Sequence, residues 1–238
     1  MSDLHHVGVS APDPESRAKL EGVGPEFIRQ GLMGAREKSW EALKLIYSRL
    51  QEGMTEGEAR RLANDTMKEL GSAKYWHQPW VRFGPGTALT FHKLLQPTYR
   101  LQKGDPVYLD LGPVWRDEAT NLEYEGDVGE TFIFGENAEV AKAIEASRTL
   151  WKESHVLWNE GASGETMYAF LDKRAAELGY RLIDNVLGHR LSDFPHNKYS
   201  KERLGKVPFH PHTSLWVLEF QINDPENRFG VFYEDLLF

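Results

Sequence analysis

The chain has 238 residues, enough to bury a sizeable core, and at 40% hydrophobic and 27% charged it has the composition of an ordinary globular protein. A formal net charge of −8, from 28 basic and 36 acidic residues, argues against nucleic acid or an anionic membrane as the main partner. With no cysteine, disulfides, thiolate nucleophiles and cysteine-type zinc sites are excluded, and any metal must bind through oxygen and imidazole.

The N-terminal MSDLHHVGVSAPDPES has neither a basic start nor an apolar h-region, and no run is long and apolar enough to span a membrane. The expectation is a cytoplasmic protein without a membrane partner. Residues 1–24 read as an extension and 25–238 as one domain. A long helix is predicted over 25–52, where Phe27, Ile28, Leu32, Leu43, Ile46, Tyr47 and Leu50 recur at roughly helical spacing. Apolar aromatics in these first helices leave room for a homodimer. A second helix follows, with Thr55 as N-cap and Gly71 as its stop.

Extended segments are predicted at 79–84, 106–114 and 127–134, and a long helix over about 137–160. The helical pattern then recurs, with Ser163 as cap and Gly179 as stop. Gly53 to Gly71 and Gly161 to Gly179 are equally spaced, with Thr55 and Ser163 at the same offset, Leu62 aligned with Phe170, and an ELG closing each helix. Two helices followed by β structure in each half predict an internal pseudo-repeat.

The β segments carry acids where apolar residues are expected: Asp110 in YLDLG, Asp127 in EGDVGETF, Glu219 in LWVLEFQI and Glu234 in GVFYEDLLF, with His189 in VLGHRLSDFPH. A carboxylate buried in a strand face is costly unless a cation or several hydrogen bonds compensate it. Alternation sorts these acids. Asp110 points with Tyr108 and Gly112, Asp127 with Gly129 and Thr131, Glu219 with Val217 and Gln221, and Glu234 with Gly230 and Phe232, whereas Glu130 and Asp235 face the other way. Four carboxylates and one imidazole packed together would repel or take up protons, and two divalent cations would neutralise them. Such a site activates a bridging water while holding a carbonyl oxygen, which is the chemistry of hydrolysis. The donors suit Mn, Co, Fe or Zn.

At these residues the chain resembles the pita-bread, or creatinase-fold, M24 metallopeptidases, the group of methionine aminopeptidase, Xaa-Pro aminopeptidase and prolidase. KGDPVYLDLG (103–112), GDVGETF (126–132), GHRLSDFPH (188–196), LEF (218–220) and FGVFYED (229–235) match the family's ligand motifs in order, and His92 in GPGTALTFHK matches its substrate-binding histidine. The resemblance implies an α+β pita-bread fold, a curved antiparallel sheet flanked by two pseudo-symmetric helix pairs. It implies that Asp127 and Glu234 bridge two metals, that Asp110 completes one and that His189 and Glu219 complete the other. Glu219 would also act as general base, and His196 and His92 would hydrogen-bond the oxyanion and the substrate.

The surroundings depart from the family pattern. The loop between the aspartates, 113–126, is longer than the family's usual hairpin and is expected to bring Trp115, Arg116 and Tyr124 to the mouth of the site. Glu130 and Phe232 replace family arginines, Arg190-Leu191-Ser192 replaces glycines, Asn197 follows His196 in place of an acid, Phe220 replaces a proline, and the sequence ends four residues after Glu234. Trp115, Tyr124 and Arg190 are the candidate substrate contacts, with a pairing of Arg190 to Asp193 as the alternative. His77 and His155 read as packing or surface residues, His210 and His212 as a polar loop, and Trp40, Trp76, Trp80, Trp151, Trp158 and Trp216 as core or interface. The expected function is dinuclear metal-dependent hydrolysis of an amide or peptide bond next to a short N-terminal group, aminopeptidase- or dipeptidase-like. The alternative is a small non-peptide amide or amidine substrate. A non-catalytic binding protein is disfavoured because all five ligands are retained.

Overall fold

A computed structural model describes residues 14–72, 74–90, 97–195 and 202–238, so that His92 and His196 lie outside the described residues. Five α-helices are present among them: α1 (Pro14–Glu21), α2 (Arg29–Arg49), α3 (Glu56–Glu69), α4 (Ala138–Asn159) and α5 (Gly164–Glu177). The strands are β1 (Lys74–Phe83), β2 (Asp105–Arg116), β3 (Glu123–Glu125), β4 (Val128–Phe134), β5 (Arg181–Leu182), β6 (His189–Arg190), β7 (Asp193–Phe194), β8 (Trp216–Asn223) and β9 (Gly230–Leu236). No helix of the described residues is long and apolar enough to cross a membrane.

The helix boundaries follow local chemistry. Helix α2 begins at Arg29 rather than 25, because Phe27 N–H closes a turn on the Gly24 carbonyl and Ile28 remains extended. Its buried stripe of Leu32, Ala35, Ser39, Ala42, Leu43 and Ile46 has the spacing of one helical face. Thr55 caps α3 through a full capping box with Glu58, and Ser163 caps α5 by accepting from Thr166 N–H. Both helices then stop at a glycine in the left-handed region, Gly71 with φ 97° and Gly179 with φ 87°.

All strands join one antiparallel sheet, in the order β5-β8-β9-β4-β2-β3-β7, with β1 on the other edge of β2 and β6 also beside β8. β3 and β4 form one continuous register along β2. Val114 opposes Glu125 and Leu111 opposes Val128, so the intervening Gly126 and Asp127 fall opposite Pro113 and Gly112. One face of β2, with Val107, Leu109, Leu111 and Trp115, joins the main core beneath α2 and α4. On the other face Tyr108 packs with Val186 and Phe232 in a separate apolar cluster.

The 113–126 segment is a hairpin rather than a loop over the site. β2 continues to Arg116 and pairs back on β3, with Asp117 closing the turn by accepting from Thr120 N–H. Trp115 therefore keeps the parity of Leu109 and Leu111 and is buried on the helix side, donating to Ser39 Oγ at 2.9 Å. Tyr124, opposite Trp115, is fully buried against Phe27 and accepts from Ile28 N–H through its hydroxyl. Arg190 is also buried and donates to the carbonyls of Leu20 and Gly22 at 2.8 Å each, holding the segment after α1. Ser192 bonds Asp193 through its hydroxyl at 2.7 Å. The expected substrate contacts Trp115, Tyr124 and Arg190 are thus core and tether residues.

Candidate metal centre

Strand register brings the acids together. Trp80, Asp110, Gly129, Glu234 and Glu219 are successive Cα partners across β1, β2, β4, β9 and β8, and therefore share one face in one transverse row. His189 opposes Val217, two residues from Glu219, and Asp127 lies two residues from Gly129, so both point to the same side. The predicted outward pair behaves as alternation requires. Glu130 meets Arg148 of α4 at 2.8 Å, and Asp235 meets Arg36 and Trp40 of α2.

A sixth residue joins the five. His77 Nε2 lies 3.4 Å from Asp110 Oδ1 and 3.3 Å from Asp127 Oδ1, so it is a site residue rather than a packing or surface one. The ordinary period of two does not place it there. Two irregularities interrupt β1, between Tyr75 and His77 and between His77 and Trp80, and the second sets three steps along β1 against two along β2. A histidine three residues from Trp80 thereby shares its face. Pro79, which has no N–H to give a ladder, lies inside the irregularity. Gly112 supplies the room: a Cβ there would fall 2.1 Å from the His77 ring. Trp76 stands between the two imidazoles, its ring centroid 4.4 Å from that of His77 and 5.1 Å from that of His189.

The electrostatics are those of a cluster short of positive charge. Asp110, Asp127, Glu219 and Glu234 are all at least 95% buried. Burial pushes the Asp110 carboxyl up to about 7, against the favourable charge of His77. Glu234 is raised well above the usual carboxylate range, first by burial and then by the charges of Asp127, Asp110 and Glu219. Glu219 is raised by burial, and Asp127 alone stays low because contacts with His189 and His77 overcome the same burial. His77 rises to about 9 because the Asp110 and Asp127 carboxylates outweigh its own desolvation, and His189 is raised in the same way by Asp127.

The donor set fits divalent cations. Asp110 Oδ1 and Glu234 Oε2 are buried without a hydrogen-bond donor, an arrangement that is costly unless a cation takes the donor's place. Two groups have donor atoms mutually close enough for one ion each, His77 with Asp110 and Asp127, and Asp127 with His189 and Glu234. The remaining histidines of the described residues lie elsewhere: His155 is stacked on Trp151, His210 is stacked on Trp158, and His212 pairs with Arg29.

Comparison with known proteins adds the family. The fold is shared with prolidase from Pyrococcus furiosus, with a TM-score of 0.68 and 20% identity over 87% of this chain and 59% of that one. X-Pro aminopeptidase from Thermotoga maritima gives 0.70 and 20%, over 92% of this chain and 60% of that one. The chain thus spans about three fifths of the length of these two proteins. Methionine aminopeptidase from Thermotoga maritima gives 0.66 and 13%, over 87% of this chain and 90% of that one. No curated protein matches the sequence. The model of metallopeptidase family M24 matches residues 31–238, across the paired helices, the curled sheet and all six clustered residues, and the chain belongs to that family.

Proposed function

We propose that the protein is a dinuclear metal-dependent hydrolase that cleaves a peptide or amide bond in a small substrate, in the manner of an aminopeptidase or dipeptidase. The observation that carries this reading is the position of Asp127, which belongs to both donor groups and turns one oxygen to each. Asp110 would hold one ion, His189 and Glu219 the other, with Asp127 and Glu234 shared between them. Divalent ions there, of the Mn, Co, Fe or Zn class, supply Lewis-acid activation of water and of the scissile carbonyl.

The chain's own groups have distinct tasks. Glu219, its carboxyl raised by burial, is suited to accept a proton from water and pass it to the leaving nitrogen. Tyr168 holds the Glu219 main chain in place by a short hydrogen bond from its hydroxyl to the carbonyl, 2.5 Å long. On the site face the buried Phe232, Val186 and Tyr108 form an apolar layer next to Asp110 and Glu234, and the partly exposed Trp80 packed on them is the member suited to meet an uncharged side chain or ring of the substrate.

The test is turnover by the protein loaded with Mn or Co, assayed on Met-Xaa, Xaa-Pro and unrelated dipeptides beside small non-peptide amides. Cleavage of at least one peptide class, reduced about 100-fold or more in Glu219→Gln, is the expected result. Full metal loading with no turnover across the panel would overturn the hydrolase reading, and turnover of non-peptide amides alone would replace the peptide substrate.

A further inference from the structure

His77 has no counterpart among the five ligands of the family resemblance, yet its geometry repeats that of His189. Each ring turns Nδ1 to the carbonyl of the next residue, His77 to Gln78 at 2.9 Å and His189 to Arg190 at 3.0 Å. A carbonyl only accepts, so Nδ1 carries the proton in both rings. In a ring without a second proton, the Nε2 lone pair then faces carboxylate oxygens. Lone pair against lone pair is repulsive, and the contact becomes attractive only with a proton or a metal ion between them. An imidazole held through Nδ1–H by a carbonyl, with Nε2 directed at acids, is the usual arrangement of a metal-binding histidine.

The distances favour an ion. A hydrogen bond from imidazolium to carboxylate is about 2.7–2.9 Å long. His189 Nε2 is within that range of Asp127 at 2.9 Å, whereas His77 Nε2 has only a long contact with Asp127 at 3.3 Å and lies 3.4 Å from Asp110. Two donors about 2.1 Å from a common ion and at a tetrahedral angle are about 3.4 Å apart. The surrounding structure also makes room for this one side chain. Gly112 lies between His77 on β1 and Asp127 in the continuation of β4, and any Cβ at 112 would occupy the ring's place.

We propose that His77 is a sixth metal ligand, completing with Asp110 and Asp127 the half of the centre opposite His189. The inference rests on the dinuclear reading above. Its chemical consequence is one imidazole on each half, so both positions select borderline metals such as Zn, Co or Fe over Mg and Ca, whereas an all-carboxylate half would accept the hard ions.

The test is cobalt titration of the metal-free full chain by calorimetry, for the native protein, His77→Ala and His189→Ala, together with proton NMR of the native cobalt form. Two cobalt ions are expected in the native protein, with one site weakened about 100-fold or more in each variant, because loss of a ligand exceeds the 10–100-fold typical of a supporting partner. Native NMR should show two strongly shifted, exchangeable imidazole N–H signals. Native-like binding of two ions by His77→Ala, with His189→Ala impaired, would overturn the role of His77 and leave the dinuclear reading standing. Failure of the native protein to bind cobalt would overturn both. If His77→Ala does not fold by circular dichroism, the native NMR decides, two shifted N–H signals supporting the proposal and one overturning it.

Discussion

Asp127 turns its two carboxylate oxygens to different imidazoles: Oδ1 is 3.3 Å from His77 Nε2, and Oδ2 is 2.9 Å from His189 Nε2. A residue shared in this way should matter to both halves of the site at once. Asp127→Asn keeps the shape but removes the charge and one acceptor. The expected outcome is loss of about 100-fold or more in affinity for both ions, whereas Asp110→Ala weakens mainly one. Calorimetric stoichiometry distinguishes them. If Asp127→Asn retained one ion at native affinity, Asp127 would not be shared.

Metal removal should lower stability, since it leaves four buried carboxylates with only imidazoles and protons to offset them. An ion at about 1,000 times its Kd stabilises the folded state by about 4 kcal/mol. For a chain of this size each kcal/mol moves Tm by about 2–4 °C, so chelation should lower Tm by roughly 8–16 °C for each ion removed. Calorimetric melts with and without a chelator, followed by re-addition of Mn or Co, provide the measurement. An unchanged transition would mean that the folded protein does not hold the ions.

Much of this could be read from the sequence because register and alternation are local rules. The sidedness of Asp110, Glu219, Glu234, Glu130 and Asp235 follows from a period of two, and the caps at Thr55 and Ser163 follow from residue type. His77 was hidden because β1 breaks that period, and an irregularity is invisible to pattern counting unless Pro79 is taken as its mark. The second signal was Gly112, on the face of Asp110 with no side chain of its own, which implies a neighbour filling the gap. Trp115 and Tyr124 were misplaced for a related reason. Reading 113–126 as a loop discarded the parity that the strand in fact carries through to Arg116.

Gly112→Ala tests the space made for His77 without touching any donor atom. The added methyl would meet the ring at 2.1 Å and force His77 away from Asp110 and Asp127. Affinity for one ion should fall about 10-fold or more, as when an oriented ligand loses its support, while the His189 half keeps its ion. The shifted imidazole N–H signal of His77 in the cobalt form should disappear. Retention of that signal and of native affinity would show that the ring is not confined there.

Arg36 and Asp235 form the counterpart on the helix face. Two of the guanidinium nitrogens, Nε and Nη2, reach the Asp235 carboxylate, at 2.6 and 2.5 Å, and Trp40 Nε1 adds a third donor at 3.1 Å. Asp235 is 2% exposed, so Arg36→Met strands a buried charge and should cost about 3–5 kcal/mol. Pairing it with Asp235→Asn removes the stranded charge and should restore most of the loss, since an amide oxygen still accepts from Trp40. Denaturant unfolding of the single and double variants measures this. Metal stoichiometry supplies the sharper check, because Asp235 is adjacent to Glu234 in sequence but points to the opposite side of β9. The double variant should bind both ions as the native protein does. Loss of an ion would place Asp235 in the metal centre and contradict the alternation on which the assignment of Glu234 depends.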